Sequence, residues 1–553
     1  MEKSSKQTIE NLPSNASDFI ELVVKRMGYR RKVRAEVRQE LSAHFEDELR
    51  DCPDQQQRRD KVQKIIEQFG DAKMLGILLR RAKKRCRPLW RTAIVRSFQT
   101  LLILIIALVF YCVYLSLGRP TIKIDYVKKL TEIAHPKADE SQNAAVLYEQ
   151  AIALYIKPPE IEIEQNTKNL LDLIMEKNVN KLTQAESAAL SEWIESNSRA
   201  IEFYIEGSNK PYYWRSREPA TSNMLELEMP ELSVIGRFSA LVSWRAKLKA
   251  EQGDIDGAFE DLLAVYRVGL HFKGPRTLIE QLVGIAIQAM AVNNARQIVY
   301  DTRPDEQKLG YIQNEFQALA DKDSFKFSFK AESFLMMDFI QRSYTDDGKG
   351  SGRMSPAGVM QFIGNDEYVD DFAAYFPALG ASLISTNRKN MEELTRDFYD
   401  FFDRQAELTP WQSHNTPINE KYQIENWSNL RKIRYWPISY LMPALTQLNQ
   451  LSYRIKTDTE AFITITALQR YERQNGSYPQ TLDALVQTGL LKKIPADPFS
   501  DESLVYRKTN EGFILYSVGY NFKDDGGIPG TDSKGKKTRW ADDGDEVFWP
   551  VEE

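Results

Sequence analysis

The chain has 553 residues, a formal net charge of −5, 42% hydrophobic residues and 11% aromatic residues. This length is too great for a single hydrophobic core and predicts three or four domains, and the composition is typical of ordered globular proteins rather than of disorder. The small net charge gives no dominant basic surface, so we expect no nucleic-acid partner.

The N-terminal residues predict a small helical domain, assigned to residues 1–90. Apolar residues recur at helical spacing in three successive segments, and Gly28 and Gly70 follow the first and third of them as stop signals. Ser17 or Asp18 is expected to cap the first helix. His44 is expected to be a half-buried helix residue rather than a metal ligand.

Two short motifs in this region carry a resemblance. "EL-x-x-H" covers Glu40 to His44, and "FGD" covers Phe69 to Asp71. Together with the helical pattern around them, they resemble the HAAS-type signalling domain found on the cytoplasmic side of bacterial membrane proteins. The resemblance implies that residues 1–90 are a cytoplasmic module for protein interaction or sensing.

The segment "SFQTLLILIIALVFYCVYLSLG", residues 97–118, contains no charged residue. Its 22 residues are enough to cross a hydrocarbon core of about 30 Å as a helix. The alternative is a buried helix of a soluble protein, but such a helix usually keeps a polar stripe. We therefore expect a transmembrane helix that contacts the lipid bilayer through residues 97–118.

The flanks of this segment predict its orientation. Eight basic residues lie between Arg80 and Arg96, twice as many as on the other flank up to Leu130. The positive-inside rule then places the N-terminus in the cytoplasm and the C-terminus outside it. The apolar run starts too far from the N-terminus for a cleaved signal peptide, so it is expected to stay as a signal anchor in a bacterial inner membrane.

Residues 120–440 alternate helical stretches with short polar links and predict a large, irregular helical extracytoplasmic domain. Cys52, Cys86 and Cys112 are the only cysteines, so the chain beyond them has no disulfide and no thiolate metal site. The stretch "WRAKLKAEQGDIDGAFEDLLAVY" predicts two helices joined at Gly253, with Asp256 as the cap of the second. This stretch resembles one tetratricopeptide-type hairpin, but no second copy recurs at a fixed period.

Two polar stretches interrupt the helical region. "SYTDDGKGSGRMSPAG" predicts an exposed loop or lid, and the carboxylates of "NDEYVDD" predict a solvated acidic face. His414, in the Pro-flanked "WQSHNTP", is expected to be exposed or at a pocket rim. Since His135 and His271 are far from it in sequence, a three-histidine metal site would require all three to converge.

No phosphate-binding loop, nucleophile elbow or zinc-protease helix occurs in the sequence. The chain is therefore not expected to be an enzyme, although a pair of acids that hydrolyses glycosides leaves no spacing signature.

The last segment, residues 441–553, predicts a long helix followed by a small α+β head. Gly476 ends the helix, a short helix follows over Leu482 to Gln487, and "SLVYRK", "GFILYSVG" and "DEVFWP" alternate as strands. The order long helix, "G-x-YP", "L-x-x-L", "P-x-DPF", "YSVG" and "DDGG" resembles the globular head of the type II secretion major pseudopilin. The chain departs from that family because no prepilin signal begins it and its long helix is too charged to span a membrane.

The pseudopilin resemblance also implies one calcium ion, held in the last loop by aspartates and backbone carbonyls. Oxygen ligands suit this ion, although Asp-Gly pairs are equally typical of simple turns. The corresponding positions here are Asp524, Asp525, Asp542, Asp543 and Asp545.

The sequence thus predicts a mainly α, single-pass membrane protein with a pseudopilin-like α+β head. We expect a non-catalytic envelope binding or scaffold protein, associated with type II secretion-like machinery, with protein partners on both sides of the membrane. A transmembrane signalling regulator acting through residues 1–90 is the first alternative. An extracytoplasmic hydrolase with an unrecognised acidic site is the second.

Overall fold

The computed structural model describes residues 12–85, 89–163, 166–174, 177, 179–217, 223–363, 371–442 and 448–551. The protein is mainly helical, with two small antiparallel sheets, and its contacts divide it into two units, Met1–Tyr111 and Cys112–Glu553. The mainly α fold class is confirmed. The finer boundaries at residues 90, 120 and 440 stay predictions.

The first unit begins with four short helices around their own apolar core: Ser14–Met27, Arg31–Leu49, Gln55–Phe69 and Ala72–Arg85. Gly28 ends the first helix in the left-handed conformation (φ 52°), as its position in the sequence predicts. The expected cap at Ser17 or Asp18 is wrong, because this helix begins one turn earlier, after Pro13. His44 is exposed rather than half-buried, and its ring packs edge-on against Phe69, 5.4 Å between centroids.

The anchor helix, Leu89–Ser116, contains the apolar segment. Its Ala93–Ser116 portion is the one helix of the described chain long and apolar enough to cross a membrane. The helix begins at Leu89, before the predicted start at residue 97, and it ends at Ser116, two residues before the predicted end at residue 118. Its last residues, from Cys112 onward, belong to the second unit.

The second unit is built on a stack of long helices. Pro230–Glu251 packs on Ile255–His271, which packs on Leu278–Thr302, while Glu306–Ala320 lies along Leu448–Asn475. Further helices surround this stack, and they are Tyr126–Ala134, Ala145–Leu154, Leu170–Ile174, Gln184–Ser196, Ser198–Ser208, Lys330–Ser343, Pro356–Ile363, Asp371–Ile384, Arg388–Ala406, Pro410–Asn415, Asn429–Arg434, Trp436–Leu441 and Asp483–Gln487.

The hairpin predicted around Gly253 is present, but Asp254 rather than Asp256 caps its second helix. Asp254 Oδ1 accepts from the Gly257 backbone N–H at 3.0 Å, whereas Asp256 forms an ion pair with Lys308. The loop predicted over residues 343–358 is only partly exposed. Tyr344 and Met354 form an antiparallel β-bridge within this segment, and both side chains are buried.

The C-terminal sheet has three antiparallel strands, Val505–Lys508, Phe513–Ser517 and Glu546–Trp549, with Phe513–Ser517 in the centre. This sheet packs on the long helix Leu448–Asn475, as expected from the order of elements. The second sheet, Glu160–Ile163 paired with Asn166–Asn169, was not expected. Of the predicted acidic face, residues 365–370 lie outside the described residues.

Candidate functional site

The five aspartates predicted to hold calcium fall into two groups. Asp524, Asp525 and Asp545 meet where the loop after the central strand crosses the start of the last strand. Asp542 and Asp543 are exposed beside them, and Asp543 accepts from the Thr531 backbone N–H at 3.0 Å. The five residues therefore lie in one region, with Asp545 at its buried end.

Several of these carboxylate oxygens already accept hydrogen bonds from groups of the protein. Asp545 accepts from Asp525 N at 3.2 Å and Gly527 N at 2.6 Å, and Asp524 accepts from the Tyr516 hydroxyl at 2.8 Å. Burial, with the charges of Asp524 and Asp525, raises the pKa of Asp545. Within the described ranges, no group of three or more His, Cys, Asp or Glu side chains is arranged to hold a metal ion. Calcium therefore stays a prediction for this loop.

A groove of about 470 Å³ lies where the helical region meets the C-terminal head. Its floor contains the buried rings of Phe329, Phe401 and Phe402, and Phe522 contributes from the loop that leads into Asp524. Volumes of roughly 300–1,000 Å³ with apolar walls are typical of ligand sites. We call this the junction groove.

The rim of the junction groove is formed by the stretch that contains His414. Its imidazole stacks on Phe522 with 4.3 Å between ring centroids, so the prediction of a position at a pocket rim is confirmed. The backbone N–H of Trp411 donates to Pro498 O at 3.1 Å, which joins this rim to the head. Ile418 is exposed beside it.

The polar groups of the groove include one imidazole, that of His414. None of the described residues that line it is Asp, Glu, Lys or Arg, and its polar members are chiefly amides and hydroxyls. The Asn449 side-chain amide donates to the backbone oxygens of Gln405 and Leu408, while its own Oδ1 is buried without a donor. An apolar floor with such amides suits an uncharged, extended segment of a partner.

A second cavity, of about 670 Å³, is basic. Five of its lining side chains are Lys or Arg and one is Asp, and these residues are Lys210, Arg267, Lys273, Arg276, Lys322 and Asp323. Most of the cations have partners inside the protein: Lys273 pairs with Asp323 at 2.6 Å, and Arg276 donates to Tyr213 O. We assign this cavity a structural role.

His271 lies in the wall of the basic cavity and is fully hydrogen-bonded. Its Nε2 donates to Lys210 O at 2.9 Å, so Nδ1 accepts from the Tyr148 hydroxyl at 2.8 Å. Burial lowers the pKa of His271 to about 4 and keeps the ring neutral at pH 7. His135 lines the same cavity and His414 lines the junction groove, so the structure brings together only two of the three histidines.

The sequence did not reveal most of the junction groove. Phe329, Phe402 and Asn449 come from three separate parts of the chain, and each fits an ordinary core pattern when it is read alone. Only His414 stood out, because polar residues and prolines surround it. No protein-family model, no curated protein and no solved structure matches the chain.

Proposed function

We propose that the chain is a single-pass protein of a bacterial inner membrane that binds a protein partner on the extracytoplasmic side. The proposed layout has a cytoplasmic helical module, the anchor helix, a helical extracytoplasmic domain and a C-terminal head. The partner is a segment of chain bound in the junction groove. Association with type II secretion-like machinery belongs to the same proposal, supported by the order of elements in the head.

The observation that carries the proposal is the uncharged, aromatic character of the junction groove. Aromatic rings supply large apolar contact area at a low entropic cost, and amides supply hydrogen bonds to an extended backbone. The groove is also shared between the head and the helical region, since Phe522 of the head and Phe402 of the helical region both line it. A partner bound there contacts both.

The groove favours binding over hydrolysis. Ser413 is the hydroxyl nearest in sequence to His414, but its Oγ donates to Gln405 Oε1 at 2.8 Å rather than to a base. Neighbouring residues on a helix do not face each other, so His414 is badly placed to activate it. Among the described lining residues no carboxylate is available to act as a general acid.

A peptide-display experiment tests this function on the purified full chain in lipid nanodiscs. We expect the selected peptides to be rich in apolar residues and poor in charged ones. Ile418→Ser should weaken their binding by about tenfold, because Ile418 is exposed at the rim and the change removes apolar contact without touching the core. Ile528→Ser is the control, because Ile528 is an apolar position outside the groove that is more exposed than Ile418, at 65% against 39%.

Two results would contradict the proposal. The first is a set of selected peptides whose affinity is the same in Ile418→Ser as in Ile528→Ser. The second is turnover of peptide, glycan or ester substrates by the purified chain, lost on a point change in the groove, which would identify it as a hydrolase.

Transmembrane signalling remains a second candidate because the anchor helix is fixed to the extracytoplasmic unit. The Arg353 guanidinium donates to Tyr114 O at 2.6 Å, so a movement of that unit reaches the helix directly. Recovery of a transcription or kinase component with residues 1–96 would favour this function, whereas recovery of secretion machinery with the outer unit would favour the scaffold.

A further inference from the structure

A set of large apolar side chains is exposed on the second unit, on three neighbouring helices. Phe376 and Ile384 lie on Asp371–Ile384, Leu430 and Ile433 on Asn429–Arg434, and Tyr440 on Trp436–Leu441. Leu430 and Tyr440 are 72% and 81% exposed, values that are high for leucine and tyrosine in a folded domain. We call these five side chains the juxtamembrane patch. Contiguous exposed apolar surface of this kind marks an interaction site.

The helices that carry the patch are joined to each other. Asp371–Ile384 contacts Asn429–Arg434. The backbone N–H of Thr386, just after the first helix, donates to Arg434 O at 3.1 Å, at the end of the second. Tyr440 follows in the next helix, which contacts Asn429–Arg434, so the exposed side chains lie on helices that adjoin one another.

One of these helices, Asp371–Ile384, contacts the end of the anchor helix. The hydroxyls of Ser116 and Tyr375 are hydrogen-bonded to each other, and Tyr375 is adjacent to Phe376 of the patch. The Ser355 hydroxyl donates to Gly118 O at 2.5 Å, and Leu115 is completely buried. The patch therefore begins at the place where the apolar helix ends.

The charge around the patch is basic. The short helix "NLRKIR" places Arg431, Lys432 and Arg434 beside Leu430 and Ile433, with no acidic residue among its six positions. Arg431 also stacks over the Trp427 ring at 4.1 Å. Basic and aromatic residues next to exposed apolar side chains match the headgroup zone of an anionic bilayer, where amphipathic helices insert about 5–10 Å.

We propose that the juxtamembrane patch lies in the outer headgroup region of the membrane that the anchor helix crosses, as a second, interfacial attachment. This inference rests on the proposed membrane anchoring. The continuity of the patch with Ser116 favours lipid as the occupant over another protein, since a partner would have to displace headgroups beside the span.

Spin labels on the full chain in nanodiscs of phosphatidylethanolamine and phosphatidylglycerol test the inference. Cys52→Ser, Cys86→Ser and Cys112→Ala remove the native thiols, and single labels are then placed by Leu430→Cys and Tyr440→Cys. Ile528→Cys and Val146→Cys are controls, since both positions are exposed and apolar but outside the patch. We expect the ratio of oxygen to nickel-chelate accessibility to be about threefold higher or more in the patch than at the controls.

The outcomes separate the two proposals. Release of the chain from membranes by alkaline carbonate would overturn the anchoring itself. Retention of the chain, with labels at 430 and 440 as open to nickel chelate as those at the controls, would overturn only the interfacial attachment. Shielding of the patch labels from both reagents would show that protein covers them, and this result would also overturn the interfacial attachment.

Discussion

Asp545 is the residue on which the geometry of the last loop depends. Its side chain is 3% exposed, and its two oxygens accept backbone N–H groups from Asp525 and Gly527. The loop thereby brings the carboxylates of Asp524 and Asp525 towards a buried acid of the same charge. The pKa of Asp497, which is also buried, is raised by desolvation and by the charge of Asp545. A cation would relieve this repulsion.

The first prediction is that millimolar calcium raises the unfolding temperature of the full chain, and that a chelator reverses the rise. A ligand present at about 100 times its dissociation constant stabilises by about 2.7 kcal/mol. Asp524→Ala with Asp525→Ala should abolish the rise, whereas Asp501→Ala, at an exposed acid elsewhere in the head, should leave it intact. Thermal unfolding followed by tryptophan fluorescence measures this, and an equal rise in all variants would exclude this loop.

Without a cation, the same acids predict the sign of the pH dependence. The pKa of Asp545 in the folded chain lies above its ordinary value of 3.8, so protonation stabilises the folded state. That stabilisation is present at low pH and is lost as the pH rises through the raised pKa. Calcium should therefore raise the unfolding temperature more at pH 7 than at pH 4.5, and the opposite order would contradict the assignment.

Single residues show where inference from sequence reached its limit. The position of the turn at Gly253 was predictable, but the choice between Asp254 and Asp256 as cap depends on a shift of two residues in where the helix begins. The ion cluster of half-buried Arg539 with the buried carboxylates of Asp458 and Glu546 was not predictable, because it joins residues from separate parts of the chain. Long-range polar contacts leave no periodic signal.

At the scale of elements, close helix packing explains two glycines. Gly269 in Ile255–His271 and Gly284 in Leu278–Thr302 face each other across the helix contact. A Cβ atom on Gly269 would lie 2.7 Å from Gly284 O and 2.5 Å from Gln288 Cγ. Backbone atoms cannot move aside as a flexible side chain can, so the two helices must separate if either glycine gains a side chain.

Gly269→Ala is therefore expected to destabilise the protein by about 1–3 kcal/mol, the usual cost of overpacking. Gly236→Ala is the matched control, since its Cβ would meet nothing within 4 Å in the helix Pro230–Glu251. There the change should be neutral or stabilising by up to about 1 kcal/mol, because alanine favours helix. Unfolding temperatures of both variants measure the difference, and equal losses would contradict the packing argument.

Most long helices were predictable because their apolar residues recur with a strong period. The long helix predicted to end at Gly476 is present as Leu448–Asn475, and the three C-terminal strands follow in the predicted order. The short sheet at Glu160–Ile163 was missed, since four residues of alternating charge and isoleucine lie between helical stretches. The junction groove was missed for a different reason: it exists only where three elements meet.

At the scale of the whole molecule, the core of the second unit is continuous from the helical region into the head. Phe316 packs on Phe462 of the long helix at 4.8 Å, and Tyr300 packs on Trp549 of the last strand at 5.2 Å. The first unit has a separate core of its own. The anchor helix contributes residues to both units.

The orientation of the anchor helix can be tested with thiol labelling. In a Cys86→Ser, Cys112→Ala background, native Cys52 should react with an impermeant maleimide only after the membrane is permeabilised, because we propose a cytoplasmic N-terminus. Ile528→Cys, made with Cys52→Ser, should react in intact spheroplasts. Labelling measured by a gel mobility shift decides this, and the reverse pattern would mean that the chain has the opposite topology.

The short connection that follows the anchor helix is held in place by hydrogen bonds. Gly118 O accepts from Ser355, and Gln341 accepts from the backbone N–H of Lys123 and of Ile124. Both ends of the linker 118–124 are therefore bonded to the second unit. A domain on a flexible linker would sample a volume that grows with the length of the linker. In the proposed membrane topology the connection adds no such search volume, and lateral diffusion in the membrane plane is the way in which the chain would meet a partner.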